Sequence, residues 1–327
     1  MVTLASASFG SNLLAIMTVL TACGCFLVGI SLMSRGFVQA SMRSNSFFTR
    51  GFNCRNRFTG AGFGLLYTAV VQSSDVTTVT LVRLADLGTI TLFQACACII
   101  GANIGTTITP FIASLSGYES LIPIFAFFAF VGALPLLSKK RKFKIFGEVV
   151  AGFGILFIGL QLLSAAVKNQ AFRDVVTLLF NFTDNPLILI AVAVLFTMIV
   201  QSSSVVTATV VFLTFSGILP LPSALCLVVG ANIGTCVTSW VAAFGSSRSA
   251  RQTAMFHTFY NLVGATIFLV VLYTPLYDPV MGWAEALKID IQYKVPLFHL
   301  LFNLIAGAVM IPLLRPTVWF VRKIVRH

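Results

Sequence analysis

Two short polar runs interrupt long apolar stretches of this chain: Gln72-Ser73-Ser74 and Gln201-Ser202-Ser203. Each is followed 29 residues later by the same hexapeptide, Gly-Ala-Asn-Ile-Gly-Thr, at 101–106 and 230–235. Serine hydroxyls can donate to the oxygens of an anion or accept a hard cation, and a glutamine amide offers an oxygen to a cation and NH₂ donors to an anion. If such a run breaks a helix at membrane depth, the freed amides attract anions and the freed carbonyls attract cations. The combination suits a site where a hard cation such as sodium and an oxyanion bind together. Gln72, Ser73, Ser74, Gln201, Ser202, Ser203 and Ser204 are therefore the candidate anion ligands.

Asp75 follows the first run, and Ser204 stands at the matching place in the second. Intramembrane carboxylates are costly and mark functional sites. Asp75 is thus a candidate cation ligand, the plainer alternative being a cap on the next helix turn. Gln72, Thr78, Asn103, Thr106, Asn232 and Thr235 complete the candidate cation set. The hexapeptide glycines permit an unwound stretch or a close backbone approach, and Thr106 and Thr235 could cap the half-helix that follows. Packing through small residues is the plainer account of the glycines. Two copies at one spacing from two polar tips favour a site. The nearest basic residue is Arg83. An anion here must rely on amides, hydroxyls and the bound cation.

The elements that position these residues follow from composition. Of 327 residues, 58% are hydrophobic and 9% charged, and the mean hydropathy is +0.98. A soluble domain carries roughly 25% charged residues, so this chain belongs in lipid, where apolar segments span as helices. The net charge of +12 does not point to nucleic acid, because the basic residues sit in short loops without an aromatic-laced basic face. Residues 11–33, 120–137, 147–167, about 253–275 and 296–314 read as spanning helices. Segments 60–87 and 186–216 are interrupted at 72–75 and 201–204, and segments 92–114 and 220–243 at the hexapeptides. Residues 34–58 and 168–185 read as a basic and a polar loop.

The order of elements recurs. Laying 66–114 on 195–243 without a gap gives 22 identities in 49 positions, and 24–34 matches 154–164 at an offset one residue larger. The arms of segment 60–87 are too short to span at 1.5 Å per residue. They read as a re-entrant hairpin with both ends on one side. On that topology 17 of the 21 Lys and Arg residues share a side, among them Arg35, Arg43, Arg50, Arg55 and Arg57. Lys168, Arg173, Lys288 and Lys294 lie opposite, with Glu119, Asp174, Asp184, Asp278, Glu285 and Asp290. The positive-inside rule then places the N-terminus outside and the C-terminus in the cytoplasm, with helices 11–33 and 147–167 running in opposite directions. The expected fold is an all-α polytopic membrane protein of two inverted repeats. Each repeat has a spanning helix, a re-entrant hairpin with a Gln-Ser-Ser tip and a discontinuous helix broken at the hexapeptide. Repeat 1 covers 1–146, repeat 2 covers 147–275, and a last helix with a basic tail covers 276–327. Inverted repeats with broken helices and a midplane site are the pattern of secondary transporters.

Other features are plainer. His257 and His299 recur in Phe-His-Thr-Phe-Tyr-Asn-Leu and Phe-His-Leu-Leu-Phe-Asn-Leu, each with an asparagine one turn on, and read as a helix pair with buried polar packing. The seven cysteines read as buried thiols rather than a disulfide framework. The N-terminal ten residues lack a basic start, so the first apolar stretch reads as a retained span. No P-loop, Gly-x-Ser-x-Gly or His-Glu-x-x-His motif is present. An enzyme is not expected, nor any cofactor beyond a coupling ion, nor a metal other than sodium. A homodimer is an assembly open to such a chain.

Val-Val-Gln-Ser-Ser-Asp-Val-Thr-Thr (70–78), Ile-Val-Gln-Ser-Ser-Ser-Val-Val-Thr (199–207) and the paired hexapeptides together resemble the type II sodium–phosphate cotransporter family. The resemblance covers roughly 15–315 and is closer to short bacterial members without a PhoU-like tail. It implies sodium-coupled transport of inorganic phosphate across an inner or plasma membrane by alternating access. It also implies that Gln72, Ser73, Ser74, Gln201, Ser202 and Ser203 line the phosphate and sodium sites, supported by Asn103 and Asn232. Asp75 departs from the family motif, which has a third serine there. Some bacterial relatives are linked to phosphate export, so net direction is open.

Overall fold

The computed structural model describes residues 2–42, 51–167, 170 and 183–326. Arg43, Arg50, Lys168, Arg173 and Asp174, with most of the loop expected at 168–185, lie outside the described residues. Every described regular element is helical. Among the described residues, six stretches are long and apolar enough to cross a membrane: Leu20–Ala40, Leu92–Gly117, Arg141–Leu163, Leu221–Ala243, Arg248–Leu272 and Ile291–Met310.

Helix α1 (Val2–Met42) packs along α7 (Arg141–Val167). Glycines set their spacing: a Cβ on Gly29 would lie 2.3 Å from the Leu156 amide nitrogen, and one on Gly152 would lie 2.4 Å from that of Met33. Small residues are how membrane helices approach closely enough for dispersion to hold them together. The helix continues to Met42, past the end expected at 33, and Arg35 lies on it, bonding the Ser31 carbonyl. Helix α6 (Ile122–Leu136) packs on the other flank of α7. Its Ile124, Phe127, Phe130 and Leu134 are exposed, as befits a face turned to acyl chains.

Between these lie α2 (Arg57–Val71), α3 (Ser74–Asp86), α4 (Leu92–Gly105) and α5 (Ile108–Ser114). Their counterparts are α8 (Pro186–Val200), α9 (Ser203–Phe215), α10 (Leu221–Gly234) and α11 (Cys236–Ala243). Turns close α3 and α9 in the same way. Gly88 and Gly217, at φ +66° and +71°, adopt the left-handed conformation that glycine takes without steric cost. The chain then continues through α12 (Arg248–Leu272), α13 (Tyr277–Ala286), α14 (Ile291–Met310) and α15 (Leu314–Ile324).

The halves interlock. Helix α3 packs against α11 and α12, while α9 packs against α5 and α14. The segment after each polar tip thus rests on the half-helix after the other half's hexapeptide. The expected basic tail is itself partly helix. Leu314, Thr317, Val318 and Val321 of α15 are buried, Lys323 lies over the Trp319 ring, and Arg248 bonds the Arg322 and Val325 carbonyls.

Candidate functional site

Helix α2 ends because Gln72 turns left-handed, at φ 56° and ψ 26°, and its N–H bonds the Thr68 carbonyl at 2.8 Å. Ser73 is extended, and its hydroxyl caps α3 by accepting from the Val76 amide at 3.2 Å. The second tip repeats this. Gln201 sits at φ 54° and ψ 32°, and Ser202 accepts from the Val205 amide at 3.4 Å. A left-handed non-glycine residue costs about 1–2 kcal/mol. Glycine would fill both places without that cost, so the glutamine amide is the group worth keeping there. The interruption is narrower than 72–75 and 201–204: Ser74, Asp75, Ser203 and Ser204 already belong to α3 and α9.

Both tips line one cavity of about 220 Å³, formed by Gln72 and Ser73 from the first, Ser202 and Val205 from the second, and Leu27, Ile30, Ser31 and Ser34 of α1. Of the expected anion ligands, Gln72, Ser73 and Ser202 meet there. Ser74, Ser203 and Ser204 are buried behind them, with the Ser204 hydroxyl lacking a partner. Gln201 is exposed, whereas Gln72 is buried, donating to the Ala69 carbonyl and accepting from the Thr109 hydroxyl at 3.1 Å. The tips therefore share a backbone but differ in surroundings. Thr68 and Thr77 join the arms of the first through hydroxyls 2.9 Å apart. Val206 replaces that threonine in the second, leaving the Thr197 hydroxyl without a partner.

Asp75 lies in the first turn of α3 and reaches the other half of the chain. Its Oδ1 accepts from the Thr238 hydroxyl of α11 at 3.0 Å. The same hydroxyl lies 2.8 Å from the Thr235 carbonyl. A hydroxyl has one proton, so Thr238 can serve one acceptor at a time. Thr78 is buried a turn below and bonds the Asp75 carbonyl at 3.2 Å. Arg83 lies within 4.0 Å of Asp86 and 3.4 Å of the Ser246 hydroxyl. At that surface-facing end of α3, the Ser247 amide donating at 2.7 Å holds the Asp86 carboxyl below the usual range.

The hexapeptides differ from expectation. Each stays helical through its second glycine, and the break comes at Thr106 and Thr107 or at Thr235 alone, all in right-handed helical conformation. The glycines serve close packing. A Cβ on Gly101 would lie 1.8 Å from the Ala61 carbonyl oxygen, and one on Gly230 would lie 2.4 Å from that of Ile190. The expected threonine caps are absent: Thr107 holds the cap position of α5, no side-chain cap bond forms, and Thr235 bonds back to Ala231 at 2.9 Å. Asn103 bonds within its own helix, to the Ile99 carbonyl at 2.9 Å. Asn232 accepts from His299 Nε2 of α14 at 3.1 Å.

The sequence pattern passed over Ser31, Ser34, Thr109 and Thr238. A signal existed for the threonines, since each stands three residues beyond its hexapeptide and they match in the repeat comparison. His257 bonds the Ser239 hydroxyl at 2.8 Å, so both histidines join buried packing as expected. Among the described residues, no group of three His, Cys, Asp or Glu side chains could hold a metal ion.

The sequence profile of the Na+/Pi-cotransporter family matches residues 25–165 and 159–275. The chain belongs to the Na+/Pi-cotransporter family. With its six candidate spans it is a multi-pass membrane protein of a transporter family. "Uncharacterized protein YqeW" of Bacillus subtilis is 28% identical over 76% of this chain and 78% of its own length. "Putative inorganic phosphate export protein YjbB" of Escherichia coli K12 is 29% identical over 81% of this chain. The human "Sodium-dependent phosphate transport protein 2B" is 31% identical over 54% of it. The match spans 47% of YjbB and 24% of the human protein. No solved structure matches the chain. As a Na+/Pi-cotransporter family member, the chain carries the family's match across both polar tips and both hexapeptides.

Proposed function

We propose that this chain moves inorganic phosphate across a cell membrane, coupled to sodium, by alternating access between two inverted repeats. The observation that carries the reading is the cavity shared by Gln72 and Ser73 of one tip and Ser202 of the other. On this reading α2–α3 and α8–α9 are re-entrant hairpins entering from opposite sides, repeat 1 covers 1–146 and repeat 2 covers 147–275. The N-terminus faces outward and the C-terminus the cytoplasm. Phosphate takes donors from the glutamine amides, serine hydroxyls and tip amides, with Ser31 and Ser34 of α1 completing the wall. Sodium supplies the positive charge that Lys and Arg do not, and Asp75 is its first ligand. While no cation is bound, the Thr238 hydroxyl donates to Asp75. When sodium arrives, that proton turns to the Thr235 carbonyl and the Thr238 oxygen faces the ion. Asp75 and Thr238 belong to different halves, so cation binding bears on the contact that rocking must break.

Labelled phosphate flux in proteoliposomes tests the reading under sodium gradients of either sign. Flux should follow the sodium gradient. Flux equal with and without sodium sinks the coupling. Saturable efflux indifferent to sodium would establish the second reading, an uncoupled phosphate exporter, which the name of the relative YjbB favours. Competition by other small oxyanions fixes selectivity. The groups at the tips suit binding and release rather than catalysis, since among the described residues no His or Lys side chain lines the cavity they share.

A further inference from the structure

A second cavity lies away from the polar tips. It measures about 410 Å³ and runs between α10, α12 and α14, lined by apolar side chains including Leu225, Phe268, Phe298, Phe302 and Ile305. Lys294, in the first turn of α14, is its one charged wall residue. The volume falls in the range of about 300–1,000 Å³ typical of ligand pockets. Its length is also informative. Ile305 stands eleven residues beyond Lys294 on the same helix, which is about 16 Å at the helical rise. That is about half of the ~30 Å hydrocarbon core. A crevice of that length, opening near the start of the span Ile291–Met310, matches the depth of a single leaflet.

The chemistry of the walls names the occupant. A crevice of phenylalanine and leucine offers nothing to phosphate or sodium and everything to a hydrocarbon chain. Lys294 is a half-buried residue of this apolar wall, and its strongly hydrated ammonium seeks the interface. Among the described residues the one ion pair is Arg83–Asp86, so Lys294 has no carboxylate partner there. We infer that this crevice is a binding site for an anionic phospholipid, with one acyl chain between α12 and α14 and the headgroup phosphate on Lys294. His299, which bonds Asn232 of α10, lies on α14 between crevice residues Phe298 and Phe302. A lipid seated here braces the contact between α14 and the second hexapeptide helix.

The test uses the full chain in nanodiscs of phosphatidylcholine doped with phosphatidylglycerol, and native mass spectrometry of the lipid it retains. One interfacial lysine gives roughly a fivefold preference for an anionic lipid, so phosphatidylglycerol should be retained about fivefold over phosphatidylcholine. Lys294→Ala should bring that ratio near one. Lys288→Ala, on the same connection but outside the crevice wall, should leave it unchanged. Leu301→Trp, which fills the crevice from a partly exposed wall position, should lower retention of both lipids, with the melting temperature checked for each variant. Equal retention of both lipids by the unaltered chain overturns the inference, as does a ratio unchanged in Lys294→Ala. Displacement of bound lipid by inorganic phosphate, or undiminished retention in Leu301→Trp, overturns it as well.

Discussion

Replacing Asp75 with asparagine keeps the side-chain shape and an oxygen that can accept from Thr238, and removes the charge and one acceptor oxygen. Arg83 is the nearest basic residue on α3, eight positions along, about 12 Å by helical rise. At that distance and an effective dielectric near 20, it contributes about 1.4 kcal/mol, and it is already engaged with Asp86 and Ser246. On the proposed reading, the charge opposite Asp75 comes from the mobile cation rather than from Arg83. Bonds to a charged group are worth about 1.5–3 kcal/mol net, so losing the charge should weaken sodium binding roughly 10- to 150-fold. In proteoliposomes, half-maximal sodium should rise by that factor while phosphate affinity at saturating sodium stays within about threefold. Sodium also protects a protein that binds it from thermal unfolding, by about 2.7 kcal/mol at a hundredfold excess over its dissociation constant. That protection should fade in Asp75→Asn whether or not the variant turns over. Unchanged sodium dependence of flux and unchanged protection, in a variant that melts normally, would refute Asp75 as a cation ligand.

The tips invite paired substitutions. Gln72→Ala should abolish phosphate flux and also lower the melting temperature, because it strands the Thr109 hydroxyl; Gln201→Ala should abolish flux with little thermal cost, since Gln201 is exposed. Gln201→Gly should fold at least as well as the parent, because glycine is at ease in the left-handed region, yet still fail to carry phosphate; flux at parental rate would show that only the backbone matters there. Gly101→Ala should prevent stable folding, at a cost above about 3 kcal/mol, as its Cβ would meet the Ala61 carbonyl at 1.8 Å. Gly62→Ala, with nothing within 4 Å, should be neutral or slightly stabilising by helix propensity; equal melting of these two variants would contradict the packing described for α2 and α4.

Much of this protein was legible before its structure. The low charge fraction required lipid. The paired tips and hexapeptides at one offset located the residues that shape both breaks, because a polar run inside apolar sequence has few explanations in a membrane. The alternation of apolar stretches set the helices, though not their ends. Helix α1 runs on through Arg35 to Met42 and α15 forms in the basic tail, since long basic side chains can snorkel and do not stop a helix.

Hydropathy and spacing report how each segment meets its solvent, and cannot say which segment lies beside it. The Gly-x-x-x-Gly pattern of each hexapeptide was open between an unwound site and close packing, and only the Ala61 and Ile190 carbonyls beneath the glycines decided for packing. Ser31 and Ser34 look ordinary on a spanning helix until α1 is laid beside both tips. Thr238 is one hydroxyl among many until α11 crosses onto α3, and the burial of Gln72 against the exposure of Gln201 cannot be read from two identical tripeptides. Repeated sequence determines repeated backbone, because φ and ψ are set locally. The neighbours of each copy are set by a fold in which the two halves pack against different elements, and that makes the two tips chemically unequal.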